Sequence, residues 1–135
     1  MQTVLAATSW SSKGEGVGAW IEIQFRYHYL VRVIEIVQHF CGCESNKDIE
    51  IEFSEGTVME ATLKERLGAN NTDAAGYDVD RIEVQPAVYS HSVRITVLTV
   101  YASGNNGFNT IEVFAHDSQY CIMLHPTPNM NFLYS

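Results

Sequence analysis

Aromatic and amide side chains gather in one short segment, 104–108, of this sequence of 135 residues. Asn105, Asn106 and Phe108 stand there among glycines. An aromatic ring can stack on the apolar C–H face of a pyranose, while amides donate to and accept from sugar hydroxyls. These residue types at this spacing favour carbohydrate recognition. The alternative reading is an Asn-Gly turn whose Phe108 folds back to cap the core.

Three further loop positions carry side chains of similar chemistry. Trp10 lies among serines and is either a second stacking surface or a large core residue that closes one end of the fold. His39, followed by Phe40, offers a hydrogen-bond donor beside a ring, although it also marks a simple strand exit. The segment 89–91, Tyr-Ser-His, is of the same kind and weaker.

Catalytic constellations are absent from the sequence. The glycine-rich segment 14–18 precedes a strand and does not open a helix, so its amides would not converge on a phosphate. None of the five histidines occurs at metal-ligand spacing. Glu50 and Glu52 are two residues apart on a strand, which places both on one solvated face and not in a cleft. The sequence therefore predicts a protein that is not an enzyme.

The charge balance restricts the classes of partner. The formal net charge is −8, with 16 acidic residues against eight Lys and Arg. Nucleic-acid binding depends on neutralising phosphates with basic side chains, so we expect no nucleic-acid partner and no polybasic membrane contact. No apolar run reaches the roughly 18 residues that span a bilayer, and membrane insertion is not expected. A glycan, a glycoconjugate or a protein remains as the expected partner, and the sequence names no compartment.

Alternation of apolar and polar residues with a period of two dominates the chain and predicts strands. The predicted strands are 19–25, 30–37, 48–53, 57–63, 79–84, 92–101 and 110–114. About seven strands at regular spacing without crossover helices indicate an all-β fold, an antiparallel β-sandwich or jelly roll. We expect one domain over 1–117 and a C-terminal extension over 118–135.

The order of several segments resembles that of discoidin-like galactose-binding domains, and within them the NADase-type glycan-binding branch. The matching segments are 7–10, 14–23, 47–57, 92–101 and 104–114. The resemblance implies a jelly roll of about eight strands. It also implies a non-catalytic, lectin-like module that binds carbohydrate through loops at one end of the sandwich.

The resemblance also implies site residues. Phe108 occupies the position of an aromatic that stacks on sugar in related modules, with Asn105 and Asn106 beside it. Trp10 matches the tryptophan that follows the first loop of the family, and His39 lies in the loop after the second matched strand. We therefore expect all five residues to converge on one rim.

The two chain ends depart from the family pattern. The resemblance implies an additional first strand and an Asp-Gly loop that often holds a structural calcium ion, and we expect this chain to lack both. We expect no cofactor, although Glu112 matches a common calcium-ligand position. We expect 119–124 to form a strand that partly replaces the missing one, because an open sheet edge invites pairing. The alternatives are a disordered tail, or an arm exchanged between two subunits of a homodimer.

Overall fold

The computed structural model describes residues 2–12, 14–38, 45–65, 79–102, 106–116 and 131–134. These residues form seven strands. The strands are β1 (Gln2–Ser11), β2 (Trp20–Gln38), β3 (Asp48–Phe53), β4 (Val58–Thr62), β5 (Asp80–Val97), β6 (Gly107–His116) and β7 (Asn131–Tyr134). All their pairings are antiparallel, which confirms the predicted all-β class. Within these ranges there is no helix that could cross a membrane.

Two long strands, β2 and β5, build both layers of the sandwich. They pair with each other from Trp20↔Thr96 to Ile36↔Asp80. The second half of β2 also pairs with β6, whereas its first half pairs with β7. The second half of β5 pairs with β3, which in turn pairs with β4. One sheet therefore contains β1, β6 and one half each of β2 and β5; the other contains β7, the remaining halves, β3 and β4.

Apolar side chains at alternating positions fill the space between the layers. On β2 these are Ile21, Ile23 and Phe25, and on β3 the alternation continues with Ile49 and Ile51. Both layers contribute to one continuous hydrophobic cluster. The period of two in the sequence thus becomes one buried face on each sheet, and burial of that face is the main force that holds the layers together.

The sandwich has two ends with different construction. At the loop end β1 and β4 stop, β3 and β6 begin, and β2 and β5 have both of their termini. The described connections at this end are 14–19, 45–47 and 98–102. At the bend end, 25–28 of β2 and 89–91 of β5 pass from one layer to the other. The β3–β4 turn also lies there, with Gly56 at a φ of 101°.

Three sequence expectations about strands need correction. β1 is a strand of ten residues paired with β6, where the sequence showed no clear strand. The predicted strands 19–25 and 30–37 are one strand, as are 79–84 and most of 92–101. The C-terminal extension supplies a strand to the sandwich at Asn131–Tyr134, after Pro126 and Pro128, whereas the sequence predicted its strand at 119–124. The segment 119–124 lies outside the described residues.

Candidate functional site

The two predicted stacking residues, Trp10 and Phe108, meet each other at the loop end. They are cross-strand partners of β1 and β6, with ring centroids 5.8 Å apart and an angle of 22° between the ring planes. Phe108 is 1% exposed and Trp10 is 8% exposed. Each ring therefore packs on the other and on the core, and neither offers a face to a sugar. The structure therefore agrees with the alternative for both residues, in which their rings close the end of the core. It contradicts the expectation that they stack on a sugar.

Asn106 lies beside this pair and is also buried, at 1% exposure. Its N–H donates to Ser12 Oγ at 3.0 Å, and its carbonyl accepts from the Ser12 N–H at 2.7 Å. The side-chain amide of Asn106 has no hydrogen-bond partner among the residues that the structure describes. Trp10, Asn106 and Phe108 thus lie near one another at this end, while His39 and Asn105 lie outside the described residues.

A buried polar network accompanies the ring pair at the loop end. Gln38 Nε2 donates to the carbonyls of Asn46 and Lys64 at 3.1 and 2.8 Å, and Gln38 Oε1 accepts from the Asn46 N–H at 2.7 Å. Asn46 Nδ2 donates to the Gly107 carbonyl at 2.9 Å. These bonds join β2 and β6 to the connections between strands. The described residues at the loop end are therefore closely packed and do not form an open binding site.

The exposed rings of the described chain lie at the bend end. The aromatic cluster there consists of His28, Tyr89 and His91. His28 stacks on Tyr89 with centroids 5.6 Å apart and an interplanar angle of 15°, and it meets His91 edge to face at 4.9 Å. Tyr89 is 55% exposed. Because Tyr89 and His91 are two residues apart on β5, they project from the same side of the strand.

A local irregularity in β2 brings His28 to these two residues. Pairing runs to Gln24↔Ser92 and resumes at Tyr29↔Ser90, so four residues of β2 lie opposite His91 alone. Phe25 turns inward and meets the ring of Tyr29 edge to face at 5.9 Å. The following residues, including His28, project outward. This bend carries β2 from one layer to the other, as bulges do at sheet corners.

An open groove of about 280 Å³ adjoins the cluster on the outer face of the sheet that contains β3, β4 and β7. We call it the bend-end groove. Its lining residues are Glu22, Gln24, Glu52, Phe53, Ser54, Gly56, His91, Ser92 and Arg94. His91 belongs both to the groove and to the aromatic cluster, so the rings and the polar groups form one continuous surface.

Hydrogen bonds fix several side chains of the groove. Arg94 approaches Glu22 Oε1 with Nε at 3.3 Å and a terminal nitrogen at 3.2 Å, while Gln24 Nε2 donates to Glu22 Oε2 at 3.0 Å. The guanidinium of Arg94 also lies 4.4 Å from the ring centre of Trp20. Ser54 Oγ accepts from the His91 N–H at 3.0 Å. The groove therefore presents ordered donors and acceptors, as a site for a polar ligand requires.

Sequence reasoning gave partial access to this site. The sequence offered the segment 89–91 as a weak loop candidate, but it did not indicate that this segment is part of a strand or that His28 lies beside it. The groove residues come from three strands that are distant along the chain, so only the fold reveals their proximity. Within the described ranges, no group of three or more His, Cys, Asp or Glu side chains could hold a metal ion.

Comparison with known proteins identifies the fold. No protein-family model matches the chain, and no curated protein is similar to it. Among solved structures, an F5/8 type C domain of a Bacteroides fragilis protein is similar, with a TM-score of 0.56 and 14% sequence identity. The match covers 73% of this chain and 66% of that chain, just under two thirds of its length. The fold is thus a discoidin-like β-sandwich, which confirms the fold that the sequence resemblance implied.

Proposed function

We propose that this chain is a non-catalytic carbohydrate-binding module whose site lies at the bend end. The observation that carries the proposal is the exposed ring of Tyr89, stacked on His28 and continuous with the bend-end groove through His91. The discoidin-like fold, with which the sequence resemblance associates glycan binding, supports it.

The chemistry of this surface suits a sugar. A pyranose presents an apolar C–H face, which an exposed tyrosine or histidine ring covers, and a rim of hydroxyls that need both donors and acceptors. In the groove Arg94 supplies donors, the Glu52 carboxylate supplies acceptors, and Ser54 supplies a hydroxyl. A volume of about 280 Å³ is near the lower end of ligand pockets, roughly 300 Å³, and fits one or two sugar rings.

The same groove lacks the features of a glycosidase. A glycosidase needs one carboxyl group in a water-poor setting that raises its pKa, opposite a second carboxylate across the substrate. Glu22 is held by Arg94 and Gln24, and Glu52 is exposed on an open face. Binding without cleavage is therefore the activity that we assign.

A glycan array on the purified protein tests the proposal, followed by affinity measurements on two variants. Tyr89→Ala removes the exposed ring of the cluster and should weaken the best glycan by about fivefold or more, since stacking is worth about 1 kcal/mol. Tyr27→Ala is the matched control, because Tyr27 is 47% exposed and its ring lies against Arg26 at 5.4 Å. An array without a binder, or equal losses for both variants, would contradict the proposal.

A second candidate function, protein binding, rests on an apolar cleft next to the same ring. The cleft has a volume of about 350 Å³ and separates the outer strand β4 from the first half of β5. Its apolar lining includes Val58, which is 51% exposed, together with Met59, Pro86 and Tyr89. An apolar patch of this kind is typical of contact surfaces. If peptides selected from a random library bind and Val58→Asp abolishes their binding, this function replaces the first.

A further inference from the structure

We infer that the bend-end groove selects sugars that carry a protonated amine over neutral sugars and over sugar acids. The inference rests on the proposed function and names the ligand class of the same site. It follows from the charges that line the groove, which are two carboxylates, Glu22 and Glu52, and one guanidinium, Arg94.

The guanidinium of Arg94 is already matched by a carboxylate of the groove. Arg94 lies between Glu22 and Glu52 in one row across three strands, because it is the register partner of both. Its nitrogens approach Glu22 at 3.2 and 3.3 Å. The Glu52 carboxylate makes no hydrogen bond or ion pair with any residue that the structure describes. Within the described part of the groove, the Glu52 carboxylate therefore lies beside Arg94 but is not in an ion pair with it.

The surroundings of Glu52 add negative charge. Glu50, two residues before Glu52 and therefore on the same face of β3, is the direct register partner of Glu60 on β4. Like charges directly opposite each other across two strands are unfavourable. Glu55 lies in the turn after Glu52. A bound cation on this face relieves repulsion that the folded protein otherwise retains.

A sugar amine suits the surface beside Glu52 better than a simple cation does. A protonated amine has three donors, and its hydrogen bonds to a carboxylate are stronger than those between neutral groups. The remainder of the sugar can lie on the aromatic cluster, and a nearby positive charge also interacts favourably with an aromatic face. A sugar acid would instead bring a carboxylate towards Glu52 and lose affinity.

The experiment compares sugars that differ only at one substituent. The probes are immobilised galactosamine and glucosamine, their N-acetyl forms, galactose, glucose and galacturonic acid, at low salt and neutral pH. We expect the amino sugars to bind about two- to fivefold more tightly than the neutral sugars, the range for an exposed charge pair, and galacturonic acid to bind most weakly.

Two variants assign the preference to one carboxylate. Glu52→Gln should remove the advantage that the amino sugars have over the neutral sugars. Glu65→Gln is the control, because it makes the same change in net charge at an exposed residue outside the groove. Equal effects of both variants, or equal binding of amino and neutral sugars, would overturn the inference while the proposed function stands. Absence of binding to every sugar would overturn both.

Discussion

The change Phe108→Ala distinguishes a structural loop end from a sugar site at the loop end. If Phe108 were a stacking platform on the surface, the variant would lose glycan affinity and keep its stability. In the structure Phe108 is 1% exposed and packs on Trp10. Its removal therefore leaves a cavity between β1 and β6 and should lower the free energy of unfolding.

The expected magnitude follows from burial of the whole ring. Phe→Ala changes in cores cost about 3–5 kcal/mol. For a chain of 135 residues, 1 kcal/mol corresponds to about 3 °C in Tm, so the Tm should fall by about 10–15 °C. The partner change Trp10→Ala should show a coupling of about 0.5–1.5 kcal/mol with Phe108→Ala in a double-mutant cycle, as stacked ring pairs do.

Urea unfolding and calorimetry measure the stability, and titration of glycan below the Tm of the variant measures the affinity of its folded fraction. We expect a large loss of stability and a glycan affinity within about twofold of the unchanged protein, a difference well below 1 kcal/mol. A Tm within 2 °C of the unchanged protein together with a tenfold loss of affinity would refute the reasoning. It would return the site to the loop end.

Two further predictions concern the sheet that contains β3 and β4. Gly56→Ala should destabilise the protein by about 1–2 kcal/mol, because an L-residue is strained at the φ of 101° although the space around Gly56 is open. Gly16→Ala is the control, because Gly16 also lies in open space but has no positive φ. Equal Tm values for the two variants would contradict the prediction. Asp48 accepts hydrogen bonds from two hydroxyls, which lower its pKa below the ordinary 3.8, so the stability it adds is present above pH 3.8 and is lost as the pH falls further. Asp48→Asn should therefore flatten the acid limb of a plot of Tm against pH, and an unchanged acid limb would show that these bonds, from Thr99 at 2.6 Å and Thr62 at 2.7 Å, add nothing.

The sequence predicted the strands whose pattern is local. Asp48–Phe53 alternates without a fault, so both the strand and its buried face were correct. β1 contains alanines, serine and threonines with little alternation, and its extended form depends on pairing with β6, about a hundred residues later. β7 has only four residues after two prolines, and its pairing with β2 is likewise distant in sequence. Neither strand carries a signal that local periodicity could detect.

The site was less predictable because its residues depend on packing. In the sequence, an aromatic residue beside a glycine-rich segment, such as Phe108, fits a ligand contact and a core residue equally well. The contact with Trp10 in the structure decides between the two. Tyr89 and His91 were candidates in a predicted loop, and their common face follows from β5 in the structure. Their contact with His28 depends on the four residues of β2 that stand opposite His91, and that irregularity has no mark in the sequence.

The passage of β2 and β5 through both layers bears on how the protein unfolds. In a sandwich of two independent sheets, one sheet can open while the other stays closed, and partly unfolded states can accumulate. Here each sheet contains half of the same antiparallel pair, joined from Trp20↔Thr96 to Ile36↔Asp80. Separation of these two strands opens both sheets together, so loss of structure should be a single all-or-none event. The two strands are also far apart in sequence. The chain between them must lose conformational entropy before the strands can pair, so folding should be slow.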